Sequence, residues 1–230
     1  MLTIILHHSA LELVNESICN VKHSAIQNDS IRRKKPDKEL LLDLSVHQSA
    51  IYPEKVHFAG RPDLVHIFLL QYHFIMDLMD SAIESKIQLY VHTRNDKVFA
   101  VPAFWRVPVH FLRFRGLMEK FLIEKEISLG KAGKLILQEQ TLGELVKNLS
   151  PDEIINLVET GEKTFKLNFA TKDLIIDNTN TVLLIGGYQK GEYDLSKEIS
   201  FQIKKQKIID KPTTSWMILN LLLTGIIEKK

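Results

Sequence analysis

Hydrophobic residues along the chain fall into short runs typical of buried strands and longer runs with helical spacing. The short runs predict strands at 3–6, 40–44, 87–92, 97–101, 134–137, 164–169, 181–185 and 199–203. The longer runs predict helices at 64–79, 111–126, 141–149 and 214–227, and start signals predict two more, one capped by Ser9 and one beginning at Ser150. Strands that alternate with helices indicate an α/β fold with a mostly parallel sheet.

Composition narrows the class of protein. The 230 residues are 45% apolar and 25% charged, as in ordinary globular chains, and no long linker divides them, so a single domain is expected. One cysteine, Cys19, excludes a disulfide framework, and the nine histidines show no metal-ligand spacing, so no metal is expected. The absence of a signal segment and of an apolar run of about 20 residues predicts a cytoplasmic protein outside membranes.

Charge is distributed unevenly along the chain. Residues 94–134 contain nine basic and four acidic side chains, whereas residues 139–198 contain eleven acidic side chains and six lysines. The polar, basic segment 29–39 is expected to be an exposed arm. Such polarity favours a basic face that meets an anionic partner, and the alternative is a solvated basic surface.

One motif joins a buried strand to a cluster of glycines. Leu183-Leu184-Ile185 leads directly into Gly186-Gly187, and Gly191 follows four residues later. Bare backbone at the carboxyl end of a strand lets a ligand approach closely, whereas the alternative is a plain glycine turn. The spacing matches neither a phosphate-binding P-loop nor a dinucleotide-binding fingerprint.

Two arginine motifs suit phosphate. In Gly60-Arg61-Pro62-Asp63, Arg61 is either held ready for phosphate beside Asp63 or paired with it to organise the turn. Residues 104–116 interleave arginines with aromatic residues, a pattern typical of contacts with unpaired nucleotides. The alternative is an exposed helix entry whose arginines only cover apolar surface.

Taken in chain order, these motifs resemble one family, the pseudouridine N1-methyltransferases of small ribosomal subunit biogenesis, which belong to the knotted SPOUT class. The matching residues include Ser9-Ala10-Leu11-Glu12-Leu13, Leu42-Asp43-x-Ser45-x-His47, Gly60-Arg61-Pro62-Asp63-x-x-His66, Gln88-Leu89-Tyr90-Val91-His92-Thr93, Arg106-Val107-Pro108, Phe111-x-Arg113-Phe114-x-Gly116-Leu117-Met118 and Ile185-Gly186-Gly187-x-x-x-Gly191. The resemblance implies a SPOUT-type α/β sheet flanked by helices, with a C-terminal trefoil knot at about 164–230. It also implies S-adenosyl-L-methionine as cofactor and a homodimer, for which the apolar segment 216–227 is a candidate interface.

The resemblance also implies roles for individual residues. Cofactor binding falls on Leu167, Gly186, Gly191, Glu192, Tyr193, Ile208, Ile209, Asp210, Lys211, Pro212 and Thr213. Binding of small-subunit rRNA falls on Arg61, Arg106, Arg113 and Arg115, and Asp63 is the candidate catalytic carboxylate. Val109 stands where the family usually has a further arginine.

Two rival functions remain open at this point. One is a SPOUT methyltransferase that modifies a different RNA site. The other is a non-catalytic assembly factor that keeps the fold and binds rRNA, alone or with ribosomal proteins and other assembly factors.

Overall fold

The computed structural model describes residues 1–78, 81–158, 163–164, 179–207, 215 and 217–219. Its strands are β1 Leu2–Ser9, β2 Ile87–Thr93, β3 Lys97–Ala100, β4 Glu126–Ser128, β5 Lys134–Ile136, β6 Gln138–Glu139, β7 Glu153–Leu157, β8 Lys163–Thr164, β9 Thr181–Gly186 and β10 Ile203–Lys207. Its α-helices are α1 Ser24–Arg33, α2 Leu44–His47, α3 Pro62–Met76, α4 Ser81–Glu84, α5 Phe111–Glu124 and α6 Leu142–Leu149. No helix among these residues is long and apolar enough to cross a membrane.

Eight strands form one sheet in the order β6-β3-β2-β1-β9-β7-β10-β8. The strands from β2 to β8 in this order pair in parallel, and β3 and β6 add an antiparallel edge. The predicted α/β fold with a mostly parallel sheet is therefore confirmed. Because β9, β1 and β2 are parallel neighbours, their carboxyl ends at Gly186, Ser9 and Thr93 meet at one edge of the sheet.

Both faces of the sheet are covered. Every residue of β1 is buried, and its alternation sends Ile4 and Leu6 to one face and Ile5 to the other. Phe68 of α3 shares the larger core with Ile4 and Leu6, and Leu145 of α6 shares the second core with Ile5. Burial on both faces explains why β1 and β9 read as continuous apolar runs.

Most elements expected from the apolar pattern are present. The predicted strands 3–6, 134–137 and 181–185 correspond to β1, β5 and β9, and 87–92 with 97–101 form the hairpin of β2 and β3. The predicted helices 64–79, 111–126 and 141–149 correspond to α3, α5 and α6. The predicted strand 164–169, the knot and the helix 214–227 lie largely or wholly outside the described residues.

Several local predictions are wrong, and competing interactions explain them. Ser9 ends β1 and donates its hydroxyl to the Leu6 carbonyl at 2.9 Å instead of capping a helix. In the expected strand 40–44, Leu41 forms only an isolated bridge with Leu13, and Asp43 caps α2. The expected strand 199–203 is replaced by β10, which begins at Ile203.

The chain after Ser150 forms a strand and not the expected helix. The polar residues that were expected to start a helix instead end the preceding helix, α6. Ser150 has a left-handed backbone, with φ of 46°, and its N–H caps α6 by donating to the Lys147 carbonyl. The following apolar residues of β7 are buried between β9 and β10, where a strand satisfies backbone groups on both sides.

The segment 29–39 is not a free arm, because Arg33 and Lys35 pair with a buried acid, although Arg32, Lys34 and Lys38 are exposed as expected. Glu119 of α5 has no exposed surface, and its carboxylate accepts hydrogen bonds from Arg33 Nη2 at 2.6 Å, Lys35 Nζ at 2.7 Å and the Leu41 N–H at 3.1 Å. Burial raises the pKa of Glu119, but these hydrogen bonds outweigh burial and hold the pKa below its ordinary value. The carboxylate therefore fastens residues 33–41 to α5.

We expect Glu119→Ala to lower the free energy of unfolding by about 3 kcal/mol, because two cations and a buried N–H lose their acceptor together. The matched control is Glu124→Ala on the same helix, whose exposed side chain pairs with Lys120 at 3.7 Å. That change is expected to cost less than about 0.5 kcal/mol. Urea denaturation measures both, and equal losses in the two variants would contradict the role given to Glu119.

Candidate active site

The glycine motif follows β9 and is hydrogen-bonded to the carboxyl end of the neighbouring strand β1. The N–H of Gly187 donates to the His7 carbonyl at 2.8 Å, and its carbonyl accepts from the Ala10 N–H at 2.9 Å. A Cβ at Gly187 would lie 2.7 Å from the Cα of Ser9, so only glycine fits without a backbone shift. The sequence motif contains Gly187, but the predicted site residues do not include it. The structure shows that it packs between two strand ends.

Gly186 and Gly191 are the two ends of a loop that also contains Tyr188. A Cβ at Gly186 would lie 2.8 Å from ring carbons of Tyr188. Gly191 has φ of +100°, a conformation that L side chains rarely adopt, and a Cβ there would lie 3.0 Å from the Phe58 ring. The backbone conformation therefore favours glycine at 191, a side chain at 186 would displace the Tyr188 ring, and Glu192 follows on the exposed side of the loop.

Aromatic rings surround this loop. Tyr193 lies 5.0 Å from Tyr188 and 5.2 Å from Phe58 between ring centroids, and it stacks on His8 at 3.9 Å. Tyr193 was predicted as a cofactor residue, whereas Phe58 and Tyr188 were not. Their contacts join residues far apart in sequence, which a local motif does not reveal.

Three histidines lie at the same edge and are uncharged at neutral pH. The His8 N–H donates to Nδ1 of His92 at 3.3 Å, so the ring proton of neutral His92 is on Nε2, 3.3 Å from Asp96 Oδ1. Burial lowers the pKa of His8 and of His92 to about 4, and it holds the pKa of His7 well below its ordinary value. His8 also has a left-handed backbone, with φ of 48°.

Glu12 connects this edge to the first arginine motif. Its Oε1 accepts the Gly60 N–H at 2.6 Å, and its buried Oε2 has no hydrogen-bond partner within the described residues. Burial raises the pKa of Glu12 to about 7, although the Gly60 hydrogen bond and the charge of Arg94 oppose that rise.

The backbone of Ala10 places the arginine turn beside the glycine loop. The Ala10 N–H donates to Gly187, and the Ala10 carbonyl accepts the Arg61 N–H at 3.0 Å. Arg61 Nε and Nη2 each donate to one oxygen of Asp63 at 2.8 Å. This bidentate pair at the start of α3 fits the alternative in which Asp63 organises the turn.

The other predicted RNA-binding arginines do not form one cluster. Arg113 is exposed on α5, and Arg106 is exposed and donates to Asp77 Oδ2 at 2.6 Å. Arg115 is buried, with Nη1 3.9 Å from Asp43 Oδ2, so its guanidinium lies inside the protein and away from the surface that bears Arg113.

Part of the predicted cofactor site lies outside the described residues, namely Leu167, Ile208, Ile209, Asp210, Lys211, Pro212 and Thr213.

Comparison with known proteins identifies the family. The model of the EMG1/NEP1 methyltransferases matches residues 4–226. The chain belongs to this methyltransferase family. The "Ribosomal RNA small subunit methyltransferase Nep1" of Pyrococcus furiosus is 36% identical over 222 residues, covering 95% of this chain and 93% of the relative. That of Thermococcus onnurineus is 33% identical over 221 residues, covering 96% and 95%.

A solved EMG1/NEP1 structure has the same architecture. Nep1 of Archaeoglobus fulgidus, bound to S-adenosylhomocysteine, superposes with a TM-score of 0.79 and 25% identity over 99% of each chain. The resemblance read from the sequence motifs is therefore confirmed at the level of family and fold.

We expect the ionisation of Glu12 to destabilise this EMG1/NEP1 protein as the pH rises. A carboxyl whose pKa is 4.5 when unfolded and about 7 when folded binds its proton more tightly in the folded state. The stabilisation from that proton is present below pH 4.5 and is lost as the pH rises to about 7, by up to about 3 kcal/mol.

Glu12→Gln mimics the protonated carboxyl, so the difference in stability between the parent and this variant isolates the effect of Glu12. Thermal unfolding from pH 4.5 to 8 should show the parent losing stability relative to Glu12→Gln. Parallel curves across that range would show that Glu12 is already ionised in the folded protein at low pH.

Proposed function

We propose that this protein transfers a methyl group from S-adenosyl-L-methionine to N1 of a pseudouridine in small-subunit rRNA, and that it does so as a homodimer. The observation that carries the proposal is the Ala10 backbone, which joins the glycine loop to the Arg61 turn within two hydrogen bonds. The proposed cofactor loop is thereby held next to Arg61, whose Nε and Nη2 bind Asp63 and whose Nη1 we assign to a phosphate of the RNA. The rRNA methyltransferase names of the relatives and the product-bound neighbour support it.

The residues at the glycine loop fit the cofactor. The missing side chains of Gly186 and Gly191 let the loop backbone pack closely against the rings of Tyr188 and Phe58, which would border the cofactor. Glu192 and Tyr193 continue the same loop, and we assign the remaining contacts to Leu167 and residues 208–213. The bound cofactor supplies a methyl group on a sulfonium, and the methyl passes to the nitrogen as that nitrogen loses its proton.

Alignment is the main contribution of the protein to such a displacement. Holding nitrogen, methyl and sulfur in line supplies about 7–11 kcal/mol in well-oriented intramolecular reactions. The chain can hold the RNA through Arg61, and it can hold the cofactor through a loop fixed by Gly187. Both are tied to β1, so their relative position does not depend on a flexible linker.

Asp63 serves this site by holding Arg61. Both of its oxygens already accept hydrogen bonds from that guanidinium, which leaves it poorly placed to take a proton from the substrate. We therefore assign Asp63 a positioning role. A loss of the acidic limb of the pH–rate profile in Asp63→Asn, where activity normally falls as a catalytic carboxylate is protonated, would instead indicate a proton acceptor.

Mass spectrometry of nucleosides tests the proposed reaction. Small-subunit rRNA from cells that lack the protein should gain N1-methylpseudouridine on incubation with the parent and S-adenosylmethionine. Gly186→Val should give no product and no calorimetric signal with the cofactor, because the new side chain drives the Tyr188 ring into the loop.

Gly116→Ala is the matched control, since a Cβ there meets nothing within 4 Å, and it should bind the cofactor as the parent does. Methylation of another nucleoside would support the rival RNA target. Cofactor binding by Gly186→Val equal to the parent's would place the cofactor elsewhere.

Substitutions of Arg61, Arg113 and Val109 test whether the surface that carries these residues, here called the basic surface, binds RNA. Arg61→Ala and Arg113→Ala should each weaken binding of a small-subunit rRNA hairpin and reduce the magnitude of the salt slope by about 0.7. Val109 is 81% exposed next to this surface, so Val109→Arg should strengthen binding and steepen the slope by a similar amount.

Val109→Gln controls for size without charge and should leave the slope unchanged. Calorimetric affinity for S-adenosylmethionine should be the parent's in all four variants. If hairpin affinity at fixed salt is also the same in all four, the basic surface is only solvated and the protein does not hold RNA there.

A further inference from the structure

An open cavity of about 320 Å³ lies beside α5 and is bordered by three parts of the chain. Phe104 and Arg106 come from the segment before α5, Leu117 comes from α5, and Lys131 comes from the turn between β4 and β5. Its floor is apolar and its rim carries two cations.

Phe104 is the feature of this cavity that the fold does not explain. Its side chain is 78% exposed, whereas the adjacent Trp105 is 3% exposed and packs in the larger core. Trp105 therefore anchors the segment, and the Phe104 ring is left facing solvent at the cavity. A large exposed aromatic ring at the edge of an apolar cavity is typical of a binding surface.

The two cations at the rim are available to an anionic ligand. Arg106 pairs with Asp77, but both side chains are more than half exposed, and such surface pairs are weak. Lys131 is exposed, and no ion pair with it is found among the described residues. By contrast, the neighbouring Lys134 and Lys125 pair with Glu126 and Glu139.

The position of the cavity suits nucleotides that flank the target. His66 near the start of α3 contacts the Pro108 carbonyl at 2.7 Å, and Asp77 just beyond its end contacts Arg106. The segment bearing Arg106 therefore runs back along α3 from its end towards its start. Asp63 and Asp77 are fourteen residues apart, which is about 21 Å along a helix. An extended strand needs several nucleotides to cover that distance.

We propose that this cavity binds an unpaired base of the substrate RNA, stacked on Phe104, with its phosphates between Arg106 and Lys131. The inference rests on the proposed function, because it extends the same RNA track away from the methylated nucleotide. Apolar stacking together with flanking cations is the combination that recognises single-stranded nucleic acid, and every base has a face that can stack.

Binding of a fluorescein-labelled oligouridylate to the full-length protein tests the cavity. Phe104→Ala should weaken binding at least about fivefold without changing the salt slope, because stacking is not electrostatic. Lys131→Gln should weaken binding and reduce the magnitude of the slope by about 0.7, because one phosphate contact is lost. Phe201→Ala is the matched control, since it removes a phenylalanine that is 42% exposed and outside this cavity, and its affinity should be the parent's.

Two outcomes overturn the inference while leaving the proposed function intact. One is parental affinity for oligouridylate in both Phe104→Ala and Lys131→Gln while Arg113→Ala still weakens hairpin binding. The other is sedimentation showing that Phe104→Ala dissociates a dimer, which would make the cavity an interface between copies. Failure of the parent to bind any RNA would overturn the inference together with the proposed function.

Discussion

The structure depends on the parallel pairing of β1 with β2 on one side and β9 on the other. Ile4 pairs with Leu89 and with Leu183, so three strands distant in sequence share one register. The carboxyl ends of these strands must then meet. The backbone just beyond them is fixed by hydrogen bonds, because Gly187 pairs with His7 and Ala10, and Ala10 pairs with Arg61. The site is therefore an outcome of strand register. A slip of one residue would reverse the faces of β1 and separate the glycine loop from the arginine turn.

A second constraint comes from buried charge on α5. Arg115 and Glu119 are four residues apart and face the interior, whereas Arg113 and Lys120 face solvent. The inward pair meets Asp43 and the cations Arg33 and Lys35, which binds residues 33–43 to the back of the helix. The exposed face of α5 that carries Arg113 is thus held in place by ion pairs on its buried face. Arg33, Lys35 and Arg115 neutralise buried acids, so their positive charge is not available to a partner.

The sequence predicts the apolar elements well and the polar segments poorly, for a physical reason. Strands such as β9 and helices such as α3 are specified by runs of apolar residues of the right length, which are a local property. The segment 29–39 and the helix start at Ser150 were interpreted from polar residues whose partners lie elsewhere, in Glu119 and in the end of α6. The same distinction applies to the site: Gly186, Gly191 and Arg61 belong to local motifs, whereas Phe58 reaches the site only through the tertiary fold.

The charges around the candidate site are separated in a way that suits the proposed reaction. The edge of the sheet holds His7, His8 and His92, which burial keeps neutral, together with the rings of Tyr188 and Tyr193. A sulfonium is a cation, and aromatic faces attract cations while imidazolium rings would repel them. Arg94 also lies at this edge, where its backbone N–H donates to the Ser9 carbonyl at 3.3 Å and its Nη1 donates to the Phe58 carbonyl at 3.5 Å, whereas the charge of Arg61 is balanced by Asp63 within the turn. The edge proposed for the methyl donor therefore combines neutral histidines and aromatic rings with Arg94 and with the carboxylates of Asp96 and Glu198, whereas the exposed Arg106 and Arg113 proposed for RNA lie elsewhere on the surface.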